Sequence, residues 1–345
     1  MAPKPDLGTM LLGTDALSDG AETMRKNVPG VRRGADIEAV HQMRVASRRL
    51  RAAIIIFGPV LADARPRRWR RAVRRVTRSL GEARDVDVQI AFVKAFPEKH
   101  AANTRVRPGL DRLLLRQKQQ RKKMQSSVLE SMDRFEASGV LDQIGRYARK
   151  TIAEGRLARV TSGGDVAKQF GQESVRSRLG ELLSYDSYVA QRSCAEQLHQ
   201  MRIVAKWLRY TMELFSPVLG NSTKSYIKHT KRLQTLLGDL HDMDVWLVTL
   251  PRFIASERDR TVEHFGHARG FGRLRCGLEF MLEKCTAQRN RIYDTTVNYW
   301  GELKADGVWE QLLKICDPPK PHDTLIYPAG GEPPPERCKI SMRSR

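Results

Sequence analysis

His41, Arg44, Arg48 and Arg51 recur at spacings of three, four and three, which in a helix confines them to an arc of about 80°. The same pattern returns as His199, Arg202, Lys206 and Arg209. Downstream of the first set stand Arg67, Arg71, Arg74 and Arg78, and downstream of the second Lys224, Lys228 and Lys231, with Thr235 ending the series. Arginine offers a planar fork of donors and lysine a point charge, so these ladders are suited to phosphoryl oxygens. The two histidines would add a donor once protonated, near pH 6.5 or higher if a phosphate raises their pKa.

Ladders of one sign are ordinarily balanced by acids at i,i+4 on a solvated face. Here the acids are missing. Residues 44–78 hold 12 Arg against Asp63 alone, and residues 105–123 hold eight Lys and Arg against Asp111 alone, together +18 of the chain's net +22. Like charges on one helix destabilise it, so this density points to a polyanionic partner. The sequence leaves open whether Arg112, Arg116 and Lys123 extend the same site.

The elements that carry these side chains are duplicated. Residues 40–61 align without gaps on residues 198–219 with ten identities in 22 positions, and residues 74–93 lie against 231–250 at an offset changed by one. Met43, Leu50, Ile54, Phe57 and Leu61 share one apolar face, as do Met201, Leu208, Met212, Phe215 and Leu219, so both copies read as helices. Asp36 is a plausible N-cap, Pro59 and Pro217 should end or kink these helices, and the next helix in each half should run to about Pro97 or Pro251. Gly81 and Gly238, equivalent mid-helix positions, suggest a close helix crossing.

Further helical patterns over 110–135 and 273–300, and a shorter one before each first block, give about four helices per half. The expected fold is therefore all-α: two tandem four-helix bundles related by a pseudo-two-fold, over residues 1–162 and 165–316. A connector centred on Ser162, Gly163 and Gly164 separates them, and residues 317–345, with seven of the 16 prolines, read as an extended or disordered tail. Five unevenly spaced cysteines without C-x-x-C speak against a disulfide framework or zinc ribbon, and no apolar run reaches membrane-spanning length. The expected setting is cytoplasmic.

The paired motifs H-x-x-R-x-x-x-R-R-x-R and L-G-x-x-R-D-x-D-V, in this order and duplicated, resemble the CHAD family, the conserved histidine α-helical domain, over roughly residues 10 to 315. The resemblance implies two four-helix bundles about a basic central surface or pore that binds inorganic polyphosphate, with association to polyphosphate granules. It implies that His41, Arg44, Arg48, Arg51, His199, Arg202, Lys206 and Arg209 face that surface. Lys206-Trp207 replaces the double Arg and His241 the Arg of R-D-x-D-V, so the second half is expected to bind more weakly. The E-x-E-x-K motif of the triphosphate-tunnel domain often fused to this family is absent, which makes a stand-alone, non-enzymatic binder without cofactor or metal the expectation.

Two other classes compete. His241, Asp242, Asp244, His264 and His267 could suggest a metal-dependent phosphohydrolase, but His241 corresponds to Arg84, which cannot ligate a metal, so Asp85, Asp87, Asp242 and Asp244 read better as partners that orient arginines or tie helices together. Nucleic acid would also attract the ladders, yet aromatics amount to only 7%, and Trp69, Phe57 and Phe215 lie at apolar-face positions, which leaves no stacking platform in view.

Overall fold

The computed structural model describes residues 6–33, 37–61, 64–99 and 104–317, and among these the chain is helical with no strand. In order the helices are α1 (Leu7–Arg33), α2 (Ile37–Phe57), α3 (Pro66–Lys99), α4 (Arg107–Ala137), α5 (Val140–Ala158), α6 (Asp165–Leu183), α7 (Asp186–Val189), α8 (Ala195–Leu219), α9 (Lys224–Phe265), α10 (Phe271–Ala305) and α11 (Val308–Ile315). The duplicated blocks are α2 with α3 and α8 with α9. Asp36 and the tail from 318 onward lie outside the described residues.

Apolar periodicity accounts for the main packing. Met43, Leu50, Ile54 and Phe57 of α2 and Met201, Leu208, Met212 and Phe215 of α8 are fully buried in one core with Trp69, Val73, Val76 and Leu80 of α3 and Leu233, Leu237 and Leu240 of α9. Phe57, Phe170 and Phe215 meet there, with the Phe57 and Phe215 rings 5.1 Å apart. A second core forms from the far ends of α3 and α9 with α4 and α10: Val93, Phe96, Leu110 and Leu113 from one half, Met243, Trp246, Leu250, Leu278 and Met281 from the other.

The arrangement therefore differs from two self-contained four-helix bundles in two respects. Both cores draw on both halves. Each half also carries helices beyond four: α5 packs against α1, and the second half adds the short α7 and α11, which packs against α6 and α10. The connector is the non-helical stretch 160–164, where Gly163 and Gly164 adopt positive φ. One proline terminates less than expected. Pro59 falls in a 3-10 turn just after α2, and α8 and α3 end two residues past Pro217 and Pro97, whereas α9 continues past Pro251 to Phe265. A proline costs a helix one hydrogen bond and a steric clash, and burial on both sides of Pro251 outweighs that loss here.

Two glycine pairs set close approaches, one within each half and one between the halves. Gly13 and Gly171 admit the rings of Phe57 and Phe215: an added Cβ would stand 2.7 Å from Phe57 and 2.8 Å from Phe215. Gly109 and Gly277 let α4 and α10 cross with backbones touching, since a Cβ at Gly109 would meet the Leu274 carbonyl oxygen at 2.2 Å and one at Gly277 the Val106 oxygen at 2.1 Å. The two contacts are reciprocal, as a two-fold arrangement requires. Gly81 and Gly238 do not mark a helix crossing: the space over them is taken by the side chains of Arg44 and Arg202, at ordinary contact distance.

Gly109→Ala is expected to force the α4 and α10 backbones apart and cost roughly 1–3 kcal/mol of stability. Gly81→Ala, which meets Arg44 at 3.5 Å, is expected to be neutral or to gain up to about 1 kcal/mol from helix propensity. Thermal or denaturant melts of the two variants distinguish the close crossing from the roomy one.

Candidate anion-binding groove

The inner cations of the ladders lie where α3 and α9 pass from one core to the other. Along α3 this interval holds Arg84 and Asp85, and along α9 His241 and Asp242. α2 and α8 run beside them and present Arg44, Arg48 and Arg51 toward Arg202 and Lys206. Their fields reach across the two helices: Arg48 and Arg202 act on Arg44, Arg48 acts on Arg202, and Lys206 feels Arg48, Arg202, Arg51 and Arg44. Residues 158 positions apart in sequence thus form one cluster.

Its counter-charges are few. Arg44 Nη1 lies 3.4 Å from Asp85 Oδ1, and Asp242 attracts Arg202. The Nε atoms of Arg44, Arg48 and Arg202 are buried and have no hydrogen-bond partner. A buried donor left unmade costs on the order of 1–3 kcal/mol, and three guanidinium donors in one cluster are available to an acceptor-rich anion. Lys206 shows the same tension: burial, followed by the fields of Arg48, Arg202, Arg51 and Arg44, brings its ammonium down to about 7.

The histidines are neutral in the free protein at pH 7. Burial first, then Arg84, lowers His41, and burial then Arg202 lowers His199. His241 falls to about 4 through burial and the neighbouring His199 and Arg202. His199 Nδ1 and His241 Nδ1 are 3.0 Å apart, so in the second half the first histidine faces an imidazole where His41 faces Arg84. Among the described residues no three His, Cys, Asp or Glu side chains are gathered as a metal site would require, and His264 and His267 stand exposed at and beyond the far end of α9.

Not every ladder residue joins the cluster. Arg209 donates to Gln234 Oε1 and Glu213 Oε1, both at 2.9 Å, and is thereby committed within the protein, while its counterpart Arg51 lies beside Arg70 and Arg74 of α3. Arg70 was not part of the sequence pattern, because its register falls just outside the chosen arc. Arg67 and Arg71 are exposed on the first turns of α3, and Arg78 is paired with Glu82 toward α4. Lys224, Lys228 and Lys231 are exposed on the first turns of α9. The Trp207 ring contacts the guanidinium groups of Arg51 and Arg178, at 5.8 and 5.5 Å.

The motif acids divide their work. Asp85 and Asp242 face the cations, whereas Asp87 and Asp244 tie helices: Arg121 Nε donates to Asp87 Oδ1 at 2.9 Å and Arg289 Nε to Asp244 Oδ1 at 2.7 Å. Arg112 and Arg116 do not extend the groove. They converge with Arg260 on Glu257, which is fully buried on α9. Burial would push that carboxyl up, but hydrogen bonds from Arg116 and Arg260 outweigh it and hold the carboxyl below its ordinary range.

An all-α chain with a basic cluster between two shared cores defines the class. Within it, this chain belongs to the CHAD domain family, whose profile matches residues 15–251. It is similar in fold to the crystal structure of the CHAD domain from the plant Ricinus communis, with a TM-score of 0.58 and 24% identity over 81% of this chain and 94% of that one. No curated protein matches the sequence. No helix is long and apolar enough to cross a membrane among the described residues.

Asp87→Ala leaves Arg121, 14% exposed, without its counter-charge and is expected to cost roughly 3–5 kcal/mol. Glu82→Ala breaks an exposed pair with Arg78 and is expected to change stability by at most about 1 kcal/mol. Urea denaturation of both variants checks the contrast.

Proposed function

We propose that the protein is a non-enzymatic binder of inorganic polyphosphate, held in the groove by Arg44, Arg48, Arg51, Arg202 and Lys206, and that this binding brings it to polyphosphate granules. The observation that carries the reading is the set of three buried guanidinium Nε donors without partners, contributed by both halves to one cluster. A linear polyphosphate has acceptors along its whole length, no bases to accommodate and no chain direction, which suits walls supplied by two repeats. Membership of the CHAD family adds to this support. Arg74 and Arg70 beside Arg51 would extend the track along α3, and Arg67, Arg71, Arg78, Lys224, Lys228 and Lys231 would act as an outer field that raises the rate of encounter.

The test is a competition titration of labelled long-chain polyphosphate against single-stranded and duplex DNA across a salt series. Polyphosphate is expected to win near physiological salt, with a log–log slope of about −0.7 per phosphate contact. Equal competition per charge by DNA would instead make the groove a general polyanion surface. Arg44→Glu with Arg202→Glu is expected to weaken polyphosphate binding while leaving helicity unchanged. Unaltered affinity in that double variant would remove these residues from the site.

Proton linkage supplies a second test. Lys206 has a pKa of about 7 when the groove is empty, and a bound polyanion raises it, so binding takes up a proton at and above pH 7. Affinity is therefore expected to fall as pH rises from 7 to 9, by at most about tenfold per unit. His41, His199 and His241 are all lowered, by burial first. Lys206→Arg, which keeps its charge, should flatten the profile in calorimetric titrations.

A further inference from the structure

We infer that Lys206 is a modification site for acyl phosphates, the mixed anhydrides of a carboxylic acid and phosphoric acid, and that acylation there neutralises the centre of the groove. Lys206 is the single amine in the inner cluster. Every other cation facing it, Arg44, Arg48 and Arg51 on α2 and Arg202 on its own helix, is a guanidinium, and at the equivalent place in the first half stands Arg48. The unpartnered Nε donors of Arg44, Arg48 and Arg202 supply what the phosphate end of such a molecule needs, with the amine beside them. Asp85 and Asp242, the acids of the groove, are drawn to Arg44 and Arg202 and not to Lys206. The depressed pKa of the amine adds to this geometry, because close to half of it is the free base at pH 7.

The reaction needs no further reagent. The Lys206 Nζ lone pair attacks the carbonyl carbon, the N–C bond forms, and the C–O bond to phosphorus breaks. Inorganic phosphate departs with that electron pair, stabilised by the arginines, and the amine releases its proton to solvent. The product is a neutral amide where an ammonium had completed the ladder. The reaction itself stands on the amine and its arginines, while its effect on polyphosphate rests on the function proposed above.

The experiment exposes the full chain to acetyl phosphate at pH 7 and follows each lysine by peptide mass spectrometry, with the exposed Lys224, Lys228 and Lys231 as internal standards. An unperturbed lysine at this pH is free amine to less than about one part in a thousand, so even with its lower intrinsic nucleophilicity Lys206 is expected to react at least about tenfold faster. Acetic anhydride, which has no phosphate for the arginines to hold, should show a smaller excess at Lys206. Acetylation of Lys206 no faster than of the three standards, or the same excess with both donors, would overturn the inference. These rates are read without polyphosphate and hold whether or not it binds. The functional consequence is read separately: Lys206→Gln should weaken polyphosphate binding as acetylation does, and Lys206→Arg should not.

Discussion

Like charges held together without counter-ions are the constraint on which the rest of this fold turns. Two unit charges a few ångströms apart repel by on the order of 1–4 kcal/mol at the dielectric of a protein surface, and the inner groove holds five cations against two nearby carboxylates. Something must keep α2 and α8 side by side despite this. The answer is hydrophobic burial placed on either side of the charge: Phe57, Phe170 and Phe215 at one end, and Phe96, Trp246, Leu278 and their neighbours at the other. Helices α3 and α9 run unbroken through both cores, so the cations between them cannot relax by moving apart. What relaxation remains is chemical, and the lowered pKa of Lys206 expresses it.

The duplication has produced two unequal walls. Arg44 and Arg202 are close equivalents, each over a glycine and each near a carboxylate. Elsewhere the second copy has surrendered fixed charge: Lys206 stands for Arg48, His241 for Arg84, and Arg209 is tied to Glu213 and Gln234 where Arg51 is not. The first half thus carries charge that no change of pH in the physiological range removes. The second carries the groups that respond to their surroundings.

How much of this could be read from the residues depended on whether the signal was periodic. Apolar spacing and the internal repeat located α2, α3, α8 and α9, and the ladder spacing picked out two sets, His41, Arg44, Arg48 and Arg51 and His199, Arg202, Lys206 and Arg209, of which Arg209 is committed elsewhere. Close approaches carry no such period. Gly13 and Gly171 stand 158 residues apart, the same offset as the repeated blocks, and this was the one available sign that α1 and α6 belong to the repeat. Gly109 and Gly277 have no hydropathy signature, while Gly81 and Gly238 looked like a crossing because a missing side chain does not say what fills its place. Arg112 and Arg116 resembled ladder residues because a buried acid from a distant turn, Glu257, is invisible to local charge counting. Helix α9 was read as ending at Pro251 because local propensity knows nothing of the burial that carries the helix past it.

Sharing of both cores between the repeats has a bearing on how such a chain arose. A single repeat owns one side of each core and one wall of the groove, and its apolar faces at Phe57 or Phe215 and at the α4 or α10 crossing have no complement within it. The surface that best completes it is that of another copy, because the contacts across the repeats are reciprocal. An ancestral half-length chain would by this logic have been an obligate homodimer with an isologous interface, and fusion of its gene would have freed each wall to drift separately.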